Sequence, residues 1–214
     1  MTSRKATTVL LLASVILFSC VATTNIRVPY SIDPQRSKIE IQVARDGFLK
    51  AFGHDHVVTA TQFAGEVQMD TAKLEQSSVS FTVETASLKV IDPGESEKDR
   101  NDVQATMLGD QVLDASHYAQ IKFSSSAVKS TSNKDGVFEL QVDGILNLHG
   151  AAKPVSVPVR VKLAEDGTLT ADSELSLLQS DFGITPYKAA GGTVRVKDKL
   201  KFTFHIVARK AANQ

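Results

Sequence analysis

The chain has one cysteine, Cys20, in 214 residues, so no intramolecular disulfide can hold its fold. Tryptophan is absent. No apolar run reaches the roughly 20 residues of a membrane-spanning helix; Val9–Phe18 is the nearest, and Ser14 interrupts it. Neither sign of charge dominates, with 24 Lys and Arg against 24 Asp and Glu. With no basic stripe and no interleaving of basic and aromatic residues, nucleic acid is disfavoured as a partner. A G-x-S-x-G nucleophile elbow is missing, and the lone cysteine lies in the N-terminal leader, so neither usual nucleophile is evident. Carboxylates on the alternating segments show no paired constellation for acid–base work. There is no internal repeat and no low-complexity segment. A non-enzymatic, single-domain protein is the expectation.

What is present begins with a leader. Arg4 and Lys5 precede the apolar run, the pattern of a secretory signal. The run ends Leu17-Phe18-Ser19-Cys20, which resembles a bacterial lipobox with Phe departing from the pattern at −2. The reading is a signal peptide of lipoprotein type over 1–20, lipidation at Cys20, a tether over 21–27 and one domain over 28–210. Cleavage near Ala22, giving an unanchored protein, is the alternative. Lipidation would also remove the only free thiol from an oxidising compartment. Removing Arg4 and Lys5 leaves 22 basic against 24 acidic residues, a net charge near −2.

The domain reads as strands. Over Gly136–Lys162, Phe138, Leu140 and Val142 alternate with polar residues, and Leu146 and Leu148 continue the beat past Gly144. Beyond a turn placed at His149–Pro154, Val155, Val157, Val159 and Val161 repeat it. Period two over this length means two half-buried strands, and the short turn makes them antiparallel neighbours. Similar alternation marks Ile39–Val43, Phe63–Met69, Val79–Val83, Ile121–Val128, Leu169–Leu177 and Val194–Ala208. One helix is expected at Ser96–Leu108, capped by Ser96, with Glu97 and Asp99 in its first turn and Gly109 at its end. It is too polar to be central and should lie outside the barrel or across one mouth. Seven or eight strands with tight turns argue for an all-β antiparallel barrel with one or two short helices. Periodicity alone does not say whether such a barrel is filled by its own side chains or holds a ligand.

Gly144-x-Leu146-x-Leu148-x-Gly150-x-x-Lys153-Pro154-Val155 resembles a signature of the YceI-like family. Tyr30-Ser31-Ile32-Asp33 with Ser37, Phe63-Ala64-Gly65, Val112–Ser125 and Asp181-Phe182-Gly183-Ile184 resemble its other segments, in order; Arg36 and Ala119 stand where the family usually has His and Pro. The resemblance implies an eight-stranded lipocalin-like barrel in the periplasm whose apolar channel takes a long isoprenoid lipid of quinone or polyprenyl phosphate type. No other cofactor is expected. The inward parity then offers Ile39, Ile41, Val43, Phe81, Val83, Phe123, Leu140, Val142, Leu146, Phe202 and Phe204 as channel residues. The expected partners are that lipid and a membrane, reached through the acylated Cys20; a homodimer is left open.

Phe52-Gly53-His54-Asp55-His56 is the one stretch that looks like chemistry. In an extended chain His54 and His56 share a face and Asp55 points away, so the triplet alone cannot supply three metal ligands. His54 and His56 are read as hydrogen-bonding the lipid head at a barrel mouth. Lys188 and Arg195 could add positive charge there. The alternatives are a metal-binding protein or metal-dependent enzyme centred on these histidines, with His117, His149, His205 or a distant carboxylate as a third ligand, and a structural envelope module with a filled barrel.

Overall fold

The computed structural model describes residues 27–46 and 55–211. Its strands are β1 (Val28–Ile32), β2 (Lys38–Asp46), β3 (His56–Ala60), β4 (Phe63–Met69), β5 (Ser78–Glu84), β6 (Leu88–Val90), β7 (Gln120–Lys134), β8 (Val137–Leu148), β9 (Ala151–Leu163), β10 (Leu169–Leu178), β11 (Lys188–Ala189) and β12 (Val194–Lys210), with one helix, α1 (Glu97–Leu108), among the described residues. The leader, Cys20, nearly all of the tether and His54 lie outside the described residues.

Twelve strands reduce to an eight-stranded barrel because three long strands are interrupted. β2 and β1 pair in succession along one edge of β12. β3 and β4 pair in turn with β2 and β1, and β5 and β6 with β4 and β3. The remaining neighbours are β5–β7, β7–β8, β8–β9, β9–β10 and β10–β12, all antiparallel. The result is an up-and-down meander that closes through β12, which pairs with β1 and β2 on one edge and with β10 on the other. Polar side chains take over the ladder at each interruption. Ser37 Oγ donates to Asp33 O (2.7 Å) and accepts from Val207 N–H (2.9 Å). Ser87 Oγ accepts from Gln62 N–H (3.0 Å), and Thr61 Oγ1 donates to Ser87 O (2.8 Å).

The expected helix forms as read. Ser96 Oγ caps it by accepting from Asp99 N–H at 3.1 Å. It lies on β6, where the Gln104 side chain behaves like a neighbouring strand: Oε1 accepts from Val90 N–H (2.8 Å) and Nε2 donates to Leu88 O (2.7 Å). The β8–β9 connection is tighter than the sequence reading placed it. His149 and Gly150, both at positive φ (50° and 73°), make a two-residue turn, and Pro154 sits inside β9.

The two ends of the barrel differ. At one end, beside the 70–77, 135–136 and 164–168 connections, the interior is filled: Tyr30, Met69, Phe138, Val161, Leu169 and Ala208 are buried, the last two almost completely. Burial pushes the Tyr30 phenol above its ordinary pKa. At the other end lie α1, the His149-Gly150 turn and the 179–193 connection. There, inward residues such as Phe123, Leu146, Val157 and Phe202 are only half-buried.

Candidate functional site

From the filled end to this mouth runs a cavity of about 640 Å³. That is within the range of small-molecule sites. Its walls are almost wholly apolar. Ile39, Ile41, Val43, Phe81, Val83, Phe123, Leu140, Val142, Leu146, Phe202 and Phe204 all line it, as the parity reading expected. The barrel is thus filled by its own side chains at one end and hollow toward the other.

Glycines make room for two of the rings. Phe81 stands opposite both Gly65 and Phe123 across its neighbouring strands. A Cβ at Gly65 would fall 2.9 Å from the Phe81 ring, and one at Gly144 would fall 2.5 Å from the Phe123 ring. Both rings thus lie over backbone on the inner wall. β7 carries register shifts between Ser125 and Ala127 and between Ser130 and Ser132. Its inward residues accordingly change parity, from Ile121 and Phe123 to Val128.

The reading of the sequence left out part of the wall. β9 and β10 contribute Val155, Val157, Leu175 and Leu177, and α1 contributes Val103 and Met107. The alternation of β9 was visible, but nothing in it distinguished channel-facing from packed valines. For α1 the sparse apolar face was the signal, and it lines one mouth.

Polar groups are few in the channel. His56 is foremost among them. It enters from the first position of β3, and its Nδ1 lies 2.6 Å from Asp92 Oδ2. The other carboxylate oxygen, Oδ1, accepts from Val57 N–H at 2.6 Å. Asp92 is only 3% exposed, and both of its carboxyl oxygens are hydrogen-bonded, as a buried polar group requires. With Nδ1 engaged by Asp92, Nε2 is the ring nitrogen with no hydrogen-bond partner among the described residues, and it is the one a ligand can reach. Sequence reading missed Asp92 because Ile91-Asp92-Pro93-Gly94 reads as turn chemistry. The β3–β6 pairing, with Val58 opposite Val90, is what brings it to His56.

The other ionisable candidates disperse. Asp55 faces away from the channel, accepting from Arg45 N–H at 3.0 Å, as alternation requires. His117 is exposed and bonds Asp114 (2.8 Å), holding that carboxyl below its usual pKa. The His149 ring rests on Tyr118, centroids 4.5 Å apart, and His205 pairs with Asp172 on the outer face at 2.7 Å. None of these three joins His56. Among the described residues no three His, Cys, Asp or Glu side chains assemble into a metal-holding group. Arg195 lines the channel and reaches Asp46 at 3.8 Å, whereas Lys188, its partner across β11–β12, is exposed. Arg36, where the family usually has His, is exposed in the β1–β2 turn, beside Asp166 and away from the channel.

The family described as the YceI-like domain matches residues 30–208. A UPF0312 protein of Pseudomonas putida strain W619 is 32% identical over 178 residues, 79% of this chain and 81% of that protein. The crystal structure of Burkholderia cenocepacia BcnA superposes with a TM-score of 0.66 at 27% identity, covering 82% of this chain and 98% of that one. A polyisoprenoid-binding domain from Saccharophagus degradans, implicated in plant cell wall breakdown, shares the fold at 12% identity and a TM-score of 0.59, over 86% of this chain and all of the other.

Proposed function

This chain belongs to the YceI-like domain family, and from that premise and the geometry of its channel we propose that it binds a long isoprenoid lipid without altering it chemically. The observation that carries the reading is an almost wholly apolar cavity of about 640 Å³, with His56 and Arg195 among its few polar lining groups. Each buried methylene contributes about 0.8 kcal/mol, so a few isoprene units supply tight binding with little polar recognition. The relative described as a polyisoprenoid-binding domain supports the same ligand class.

The tail lies along Ile41, Val142, Leu146, Phe123, Phe202 and Phe204, pointing toward the filled end. The head stays at the mouth. There the free Nε2 of His56, oriented by Asp92, meets a quinone carbonyl, amide or phosphate oxygen, and the Arg195 guanidinium adds positive charge. The protein works as a carrier or sequestering protein in the bacterial periplasm, held to a membrane by lipidated Cys20.

Leu146→Trp tests the channel. Leu146 stands opposite Phe123 in the wall, so an indole there fills the lumen. The variant should fold, by circular dichroism and thermal unfolding, and carry no extractable polyprenyl lipid. A folded variant with unchanged lipid content would contradict the assignment.

A further inference from the structure

The barrel wall is not bonded equally all the way round. β9 pairs with β8 along its length, from Ala151–Leu148 to Lys162–Val137. With β10 it pairs only from Leu163–Leu169 to Arg160–Asp172. Toward the mouth, residues 151–159 and 173–178 run side by side without a ladder.

The cause is written into β9. A two-residue hairpin closes on a hydrogen-bonded pair, here Leu148 and Ala151, and bonded and non-bonded pairs alternate from there. Odd-numbered β9 residues therefore turn N–H and C=O toward β8, and even-numbered ones toward β10. Pro158 O, which accepts from Ser173 Oγ at 2.7 Å, shows this orientation directly. Pro154 and Pro158 are both even-numbered. Each withholds an N–H that the β9–β10 ladder would need, and neither disturbs β8–β9. The ladder stops at Arg160, one rung before Pro158.

The outer face of this seam carries Ser156, Glu174 and Ser176, all exposed, but it turns apolar at the mouth end. Ile145 (40% exposed) and Leu178 (41%) are two of the three large hydrophobic residues exposed among the described residues. Ile145 is registered opposite Pro154, and extending the β9–β10 register sets Leu178 on the other flank of the same proline. Inside, Val155, Val157, Leu175 and Leu177 line the channel. At the mouth end Phe182 and Ile184 are buried against Leu148, with Val155 and Leu177 packed around them. At the mouth end of this unpaired section, apolar side chains thus stand on the outer face and on the lumen side alike.

We propose that the β9–β10 seam is a lateral gate, through which an isoprenoid tail passes sideways between a bilayer surface and the channel, with Ile145, Pro154 and Leu178 meeting the membrane. The proposal rests on the isoprenoid-binding reading above. Its physical advantage is that a lipid's tail end lies deepest in the bilayer. Threading it tail-first through the mouth would expose the chain to water, whereas a slit admits it from the head-proximal side one segment at a time.

The test is stopped-flow transfer of anthraniloyl-labelled geranylgeranyl diphosphate between phosphatidylcholine vesicles and the full chain. Ser156→Cys with Ser176→Cys, in a Cys20→Ser background, places thiols at positions that the extended β9–β10 register sets opposite one another across the seam. The oxidised protein should load and release the probe at least tenfold more slowly than the same protein reduced. Pro154→Val with Pro158→Val, which restores both N–H groups, should slow both steps without changing final occupancy. Loading by the oxidised protein at the reduced protein's rate overturns the gate while leaving the binding reading intact. A parent protein that never acquires the probe overturns both.

Discussion

At the scale of single residues, Asp92 is the group on which the mouth depends. Its carboxylate satisfies a backbone donor at Val57 and orients the His56 ring, and both bonds are 2.6 Å. Asp92→Ala leaves the Val57 N–H without its partner and lets the imidazole turn. Leaving a buried donor unsatisfied costs about 1–3 kcal/mol, so thermal unfolding should show a clear fall in midpoint. Tail binding should survive, because the variant leaves the apolar wall unchanged, while discrimination between lipid heads weakens. An unaltered unfolding midpoint would mean that the carboxylate does not hold this geometry in solution. The channel-facing apolar residues named from sequence all line the channel because a strand's period of two ties face to parity, and parity is visible in the chain. Asp92 was not legible. It stands 36 residues from His56, in a segment whose own chemistry spells only a turn.

At the scale of elements, side chains replace backbone partners where the long strands are interrupted, and glycines yield space for rings on the inner wall. Gly144 is the clearest case. A Cβ there would stand 2.5 Å from both the Phe123 ring and the Ser124 carbonyl oxygen, and the second is backbone that cannot swing aside. Gly144→Ala should therefore destabilise the barrel by about 1–3 kcal/mol through overpacking, measurable by urea unfolding. It should also change lipid affinity by moving Phe123. A neutral result would show that β7 and β8 have slack at this point. The alternation around Gly144 was plain from sequence, but its closeness to Phe123 follows from the β7–β8 register, which two bulges in β7 shift. Pro154 teaches the complementary lesson. A proline four residues after Gly150 reads as part of the turn, yet here its missing N–H faces the unpaired side of β9, where a strand tolerates it.

At the scale of the whole molecule, the barrel has a filled end and a mouth, and β1 starts at the filled end. β12 has 17 residues, which at about 3.3 Å each gives a length of roughly 55 Å. A tether over 21–27 spans at most about 25 Å. If Cys20 is anchored as proposed, the side of the barrel meets the bilayer more readily than its mouth does, which fits lipid moving through the wall. The central claim is that the channel holds an isoprenoid chain. Native mass spectrometry of the mature protein from a bacterial periplasm, followed by organic extraction, tests it most directly. The account predicts a discrete added mass that extracts as a polyprenyl lipid and disappears in Leu146→Trp. A folded barrel at its bare polypeptide mass, or one carrying a mass that no isoprenoid explains, would contradict it.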